Sequence, residues 1–299
     1  MTQPDLFDRS LLKRRRLRAL KEAKPGSDFL LETVAEDLAD RLAIQSRNFD
    51  TAVELGGHTG RITSVLRESG KVETVWRGDL LCSETCDANG PDFVFDDALP
   101  PLREKSLGLV TSALSLHWVN DLPGALVQIR QALKPDGLFL GVLLGGDTLH
   151  ELRDVLMRAE LEVTGGAAPR VSPFADTRDL GSLLQRAGFA LPVTDMDRLT
   201  VRYSNMFGLM QDLRSMGATS VLEERSRKPL PKSVFLRAAE LYAADYADPD
   251  GKIRATFAMI SLSGWAPHES QQKPLKPGSA KTRLADALGV NEVGIQRND

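Results

Sequence analysis

The segment Val53-Glu54-Leu55-Gly56-Gly57-His58-Thr59-Gly60 constrains this chain more than any other. A short apolar run, Ala52 to Leu55, ends in glycines, and a helical pattern follows through Leu66. A strand that turns into a helix on glycines brings backbone N–H groups and the positive end of the helix dipole close to whatever lies above the turn. The rest of the sequence repeats the alternation. Apolar runs at Val72 to Trp76, Phe93 to Phe95, Leu109 to Leu114 and Leu138 to Leu144 are bounded by Gly, Pro and Asp and separated by helical stretches, one of them near Gly124 to Leu133. Short strands alternating with helices predict an α/β fold with a doubly wound, Rossmann-like parallel sheet.

What such a loop can hold is narrowed by spacing. Counted from Gly56, a nicotinamide fingerprint would want glycines where His58 and Arg61 stand, and no Gly-x-x-x-x-Gly-Lys-Ser/Thr occurs, so dinucleotides and nucleoside triphosphates are disfavoured. An adenosyl ligand bearing an amino acid needs an acid near the loop for its ammonium, an acid one strand later for ribose hydroxyls, and a polar group for the adenine amine. Glu54, Asp79 and the pair Asp96-Asp97 follow the first three strands in that order. In a parallel sheet these strand ends meet at one crevice, at the topological switch. Asp is also a common turn initiator, so Asp79 and Asp96 admit a purely structural reading.

The matching pieces Glu54-Leu55-Gly56-Gly57-His58-Thr59-Gly60, Asp79-Leu80, Asp96-Asp97-Ala98-Leu99-Pro100, Leu109-Val110-Thr111-Ser112 and Leu133-Lys134-Pro135-Asp136-Gly137 resemble class I S-adenosylmethionine-dependent methyltransferases, over roughly residues 27 to 195. Longer blocks, among them Phe7-Asp8-Arg9, Ser115-Leu116-His117-Trp118-Val119-Asn120-Asp121-Leu122-Pro123, Gly145-Gly146-Asp147-Thr148-Leu149-His150-Glu151-Leu152-Arg153, Ser172-Pro173-Phe174 and Gly264-Trp265, are similar to the complex I assembly factors of methyltransferase fold found in mitochondria and α-proteobacteria. The resemblance implies a seven-stranded methyltransferase sheet and S-adenosyl-L-methionine as cofactor, held by Glu54, Gly56, Gly57, Gly60, Asp79, Asp96, Asp97 and Ser112. It implies an enzyme that modifies an arginine of a peripheral-arm subunit of complex I (NADH:quinone oxidoreductase), credited to hydroxylation rather than methylation. Three positions depart from the pattern: His58 stands where the second loop glycine belongs, Asp96 lies one residue nearer to Leu99-Pro100, and Gly108 replaces the acid that commonly opens the fourth strand.

Methyl transfer from a sulfonium needs a nucleophile aligned behind the methyl group, with a base only where that nucleophile carries a proton. The turn after the fourth strand usually faces the methyl group, and here it carries His117, a base near neutral pH, and Trp118, an aromatic wall for a cation. Packing at the sheet edge is the plain alternative for both. An arginine substrate would want planar carboxylate acceptors. Asp147 and Glu151, one helical turn apart, form a candidate clamp with Asp121 nearby, although Asp147 also suits an N-cap. A non-haem iron site would begin as His-x-Asp, and none of His58, His117, His150 or His268 does. No metal site is expected, and the two cysteines, Cys82 and Cys86, fall short of four zinc ligands.

Five regions are expected. Residues 1–26 are a basic amino-terminal arm, with eight Lys/Arg against three Asp/Glu in the first 25 residues, and its interleaved leucines suit a short amphipathic helix packed on the domain. Residues 27–196 are the cofactor-binding core, 197–251 a helical lid inserted before the last strand, 252–266 that last strand, and 267–299 a loose tail. The balance of 38 basic and 41 acidic side chains, a net charge of −3, argues against nucleic acid as partner. No apolar run approaches the roughly 18 residues of a spanning helix, leaving peripheral membrane contact through the arm. Few cysteines suit a reducing compartment, so the chain is expected to be cytoplasmic, or in the mitochondrial matrix of a eukaryote. The competing functional readings are a protein-modifying enzyme, a non-catalytic complex I assembly chaperone, and an O-methyltransferase of the malonyl carrier-protein type.

Overall fold

The structure, a computed structural model, describes residues 5–81 and 90–272 together with Ser279, Thr282, Asp286, Ala287 and Gly289. Cys82, Cys86 and most of the segment expected to be a loose tail lie outside the described residues.

Residues up to Pro267 form one unit. After helices α1 (Arg9–Glu22) and α2 (Phe29–Ala43), the chain runs β1 (Phe49–Leu55), α3 (Arg61–Glu68), β2 (Val72–Asp79), β3 (Phe93–Val94), β4 (Leu107–Ala113), a short 3-10 turn (Leu116–Trp118), α4 (Leu122–Ala132) and β5 (Leu133–Leu144). It continues through α5 (His150–Thr164), α6 (Thr177–Arg186), β6 (Ala190–Tyr203), α7 (Met206–Ser215), α8 (Lys232–Tyr246) and β7 (Ile253–Trp265). The seven strands form one sheet in the order β3-β2-β1-β4-β5-β7-β6. Neighbours from β3 to β5 are parallel, and β7 pairs antiparallel with both β5 and β6. The fold is thus the expected doubly wound α/β sheet, with strand order reversing between β1 and β4.

Pleating sorts the strand residues onto two cores. Val53, Leu55, Val110, Phe139 and Leu143 pack with α4 and α6, through Leu126, Ile129, Leu180 and Leu184. The alternate positions Ala52, Leu109, Leu138, Leu140 and Val142 pack with α2 and α3, through Val34, Leu38, Leu42, Ile62 and Leu66. With both faces covered the central strands read as unbroken apolar runs, and this made them visible in the sequence.

β6 differs. The sequence suggests a strand from Phe189 to Thr194 and an insertion from Asp197, whereas β6 continues through Asp197 to Tyr203, in register with β7 from Asp197↔Met259 to Tyr203↔Ile253. It is an edge strand whose residues are mostly exposed, so Asp195, Asp197 and Arg198 are tolerated there and hide its strand character. The helices α7 and α8 follow it. With α5 they build a third apolar cluster around Val155, Leu209, Val234 and Tyr242, and the Tyr242 hydroxyl donates to the Arg254 carbonyl at 2.9 Å.

Residues 268–299 form a second unit; in its described part the His268 Nδ1 lies 2.7 Å from the Ser270 hydroxyl. No helix among the described residues is long and apolar enough to cross a membrane.

Candidate functional site

The carboxyl ends of β1, β2 and β4 meet where strand order reverses, and the turn from Gly56 to Gly60 lies over them. Gly56 and Gly60 have φ of +71° and +79°, a region that favours glycine. A Cβ on Gly57 would come within 2.7 Å of the Glu54 carboxyl and 2.8 Å of Arg77 Nε, and one on Gly60 within 2.7 Å of Arg77 Nη1. The turn therefore wraps closely around the chain's own Glu54 and Arg77. The Arg77 guanidinium donates to the His58 carbonyl.

Glu54, Asp79 and Asp97 are buried at this point and Asp96 is half-buried, each with defined partners. Glu54 is 1% exposed and accepts the N–H of Thr63 at 3.0 Å and its hydroxyl, so it closes the first turn of α3. Burial pushes its carboxyl up to about 7. Asp79, also 1% exposed, accepts the N–H of His58 at 2.6 Å and of Leu81 at 2.9 Å. Asp97 accepts the Ser115 hydroxyl at 2.7 Å, and Asp96 accepts the Ala98 N–H at 3.0 Å. Ser112 points elsewhere: its hydroxyl donates to the Leu55 carbonyl at 3.0 Å and ties β4 to β1.

Two arginines of α1 not expected as site residues, Arg9 of the Phe7-Asp8-Arg9 block and Arg16, enter the same crevice. Arg9 Nη2 lies 2.7 Å from Asp96 and also pairs with Asp97, while Arg9 Nη1 donates to the Trp118 carbonyl at 3.2 Å. Arg16 is buried and donates to the Leu114 carbonyl at 2.9 Å and to Ser115 Oγ at 3.4 Å. A signal for them was present. Arg9, Leu12, Arg16 and Ala19 recur at helical spacing, and Leu12, Arg16 and Ala19 are the buried residues of α1. Both guanidiniums thus sit on the apolar stripe that packs inward.

His58 completes the closure. Its φ is +39°, its ring is buried, Nδ1 has no hydrogen-bond partner, and the ring approaches the Met216 backbone. Burial, with Arg16 and Arg77 nearby, pushes the imidazole down to about 3. The crevice bounded by His58, Arg16, Leu114, His117 and Met216 keeps a volume of only about 60 Å³. Sites for ligands of cofactor size run from roughly 300 to 1,000 Å³. The donor set fits an adenosyl amino acid, with carboxylates at successive strand ends and a helix N-terminus beside them. The room such a ligand needs is filled by α1, His58 and Met216.

His117 and Trp118 stand at the inner edge of this crevice. His117 is buried, its ring 4.8 Å from that of Trp118 and 5.6 Å from that of Phe174. Burial, then Arg16 and Arg9, hold the His117 imidazole well below its ordinary value. Trp118 packs edge-on against Phe7 at 5.4 Å and also borders a larger cavity of about 350 Å³ among α5, α7 and α8.

The structure does not gather the expected carboxylate clamp. α5 starts at His150 rather than at Thr148, so Asp147 lies outside the helix and the one-turn relation to Glu151 is lost. Asp147 is half exposed and pairs with Arg198 of β6. Glu151 is 3% exposed and accepts the Thr256 hydroxyl at 2.6 Å and the Thr256 N–H at 3.2 Å, pinning α5 to β7. Asp121 caps α4 through the Gly124 N–H at 2.9 Å.

A family model described as a methyltransferase domain matches residues 9–192. The mitochondrial protein called arginine-hydroxylase NDUFAF5 of Danio rerio is 38% identical over 99% of this chain and 92% of its own length. A malonyl-[acyl-carrier protein] O-methyltransferase of Gallionella capsiferriformans is 36% identical over 56% of this chain and 55% of its own. Among solved structures, the YcgJ protein of Bacillus subtilis is similar in fold, with a TM-score of 0.54 and 13% identity over 79% of this chain and 99% of that one.

Proposed function

Because this chain belongs to the methyltransferase-domain family, and within it to the group that holds the arginine-hydroxylase NDUFAF5 proteins, we propose that it binds S-adenosylmethionine at the β1–β4 switch and modifies an arginine side chain of a complex I subunit during assembly. The observation that carries the binding half is the placing of Glu54, Asp79 and Asp97 against the glycine turn where strand order reverses, with Asp96 adjoining Asp97. In this reading Asp79 takes ribose hydroxyls, Asp96 and Asp97 face the adenine side, Gly56, Gly57 and Gly60 shape the turn beside the ligand by closing it over Ser115, Glu54 and Arg77, and Ser112 and Glu54 hold that turn to the sheet.

When bound, S-adenosylmethionine supplies an electrophilic methyl group on a sulfonium. The chain's own part is positioning and proton handling. Arg9 and Arg16 withdraw from the acids, which also removes two cations from beside His117 and raises its basicity. Trp118 then walls the acceptor. Asp147, solvent-open, releases Arg198 to accept a guanidinium, and Glu151 keeps α5 in place on β7. Localisation follows the relatives in this reading: the mitochondrial matrix in a eukaryote, the cytoplasm in a bacterium. Mass spectrometry of the complex I subunits from cells with and without the gene tests it: a gene-dependent methyl or oxygen increment on an arginine is expected, and identical masses would refute it.

A second reading, a complex I assembly chaperone that no longer uses the cofactor, is favoured by one observation: Arg9 already pairs with Asp96 and Asp97, Arg16 is buried within electrostatic reach of Asp79 and Asp97, and His58 fills the turn. It requires Asp79→Ala to leave complex I maturation intact, and lost maturation rules it out.

A further inference from the structure

The cavity among α5, α7 and α8 is unlike the crevice in its chemistry. Its walls include Leu152, Leu156, Met210 and Phe235, and its volume is about 350 Å³. Beside it is a recess of about 210 Å³ lined by Arg15, Arg18, Arg214 and Thr219; Arg15, Arg214 and Thr219 border both. No Asp or Glu is among the described residues that line either space. The mouth instead adds Arg170, Arg225 and Lys228.

These cations divide into two sets. Arg170 is satisfied by Glu160 at 2.5 Å, and Arg225 by Asp8 at 3.1 Å. Among the described residues Arg15 donates only to the Ser220 carbonyl, and Arg18, Arg214 and Lys228 have no carboxylate partner. Neighbouring guanidiniums repel one another, and burial beside Arg225 and Arg18 lowers the Arg15 pKa despite the opposing pull of Asp8. The cavity wall also carries two buried hydroxyls, Ser172 Oγ and Ser220 Oγ, with no hydrogen-bond partner, and Ser172 is 3% exposed. Unsatisfied buried hydroxyls are uncommon in a finished core, and both of these belong to residues that line the cavity.

We propose that these two spaces form one site for a single-chain amphiphile with a phosphate head, the head among Arg15, Arg18 and Arg214 and the tail against Leu152, Leu156, Met210 and Phe235. Clustered planar guanidiniums match phosphate oxygens in pairs, and an apolar chamber behind them selects an alkyl or acyl tail over a bare anion. The charged side chains at this mouth are all cations, so the cavity does not suit the proposed arginine substrate, although it shares the Trp118 wall with the crevice.

The test is calorimetric titration of the full chain with monodecyl phosphate below its micelle threshold. Parallel arms use hexyl and octyl phosphate, inorganic phosphate, decyltrimethylammonium and phosphatidic acid vesicles. The expected result is a single saturable site whose affinity rises roughly threefold to fourfold per added methylene, as burial of each methylene dictates. Arg18→Glu with Arg214→Glu should weaken binding at least tenfold with an unchanged unfolding midpoint, and Arg18→Lys with Arg214→Lys should retain most of it. Equal binding of decyltrimethylammonium, equal binding of inorganic phosphate, capture by vesicles alone, or indifference to charge reversal would each overturn the proposal.

Discussion

Arg9 holds Asp96 at 2.7 Å and pairs with Asp97 through the same nitrogen, so the amino-terminal helix is fastened to the carboxylates at the mouth of the crevice. Half-burial pushes the Asp96 carboxyl up, but the Ala98 N–H and Arg9 outweigh it and hold it below the usual range. Any ligand of these acids competes with α1. Replacing Arg9 with Ala should therefore tighten S-adenosylhomocysteine binding at least tenfold by calorimetry. The same change should cost stability by about 1–3 kcal/mol in urea unfolding, since buried Asp97 loses a partner. Weaker binding in the variant would contradict the competition.

His58 occupies both a left-handed backbone position and the space above the turn. Glycine relieves the backbone at φ +39° and empties that space, while its greater freedom in the unfolded chain offsets part of the gain. His58→Gly should leave stability within about 1 kcal/mol of the parent and increase cofactor affinity, read by thermal shift with and without S-adenosylhomocysteine.

The pH dependence of stability has two opposed sources. His58 is pushed down to about 3 from an ordinary 6.5, so on acidification the unfolded chain gains a proton that the folded chain refuses. Its contribution is fully present above about pH 6.5 and is lost as pH falls toward 3. Glu54, pushed up to about 7 from an ordinary 4.5, keeps a proton that the unfolded chain releases. Its contribution is fully present below about pH 4.5 and is lost as pH rises through 7. Urea midpoints across this range should steepen upward with pH in Glu54→Gln and lose that rise in His58→Asn.

Glu151 separates a structural pin from a substrate clamp. Glu151→Ala leaves the buried Thr256 N–H and hydroxyl without their acceptor and should cost about 1–3 kcal/mol, whereas Glu151→Gln retains an acceptor and should cost less. A stable Glu151→Ala protein that fails only in substrate turnover would assign Glu151 to the clamp.

The parts of this molecule that were legible in the sequence are those where one local signal decides the outcome. The β1 turn was readable because strand, glycines and helix follow without a break, and β4 and β5 because strands covered on both faces carry unbroken apolar runs. β6 was half legible, since an edge strand carries charge and its extent is set by pairing with β7, far along the chain. The acids Asp79 and Asp97 stand out in the sequence by their position after strands, and both are buried there. Their true neighbours Arg9 and Arg16 were not, because the basic run of α1 reads as a wet surface unless its period is followed onto the buried stripe. Asp147 and Glu151 failed as a pair for a local reason: α5 begins two residues later than the motif suggests.

Calorimetry of the full chain with S-adenosylhomocysteine, run beside Asp79→Ala and Arg9→Ala, decides whether the crevice acids hold an adenosyl ligand. One saturable site is expected in the parent, tighter in Arg9→Ala and absent in Asp79→Ala. No heat in either the parent or Arg9→Ala, or binding undiminished in Asp79→Ala, would contradict it.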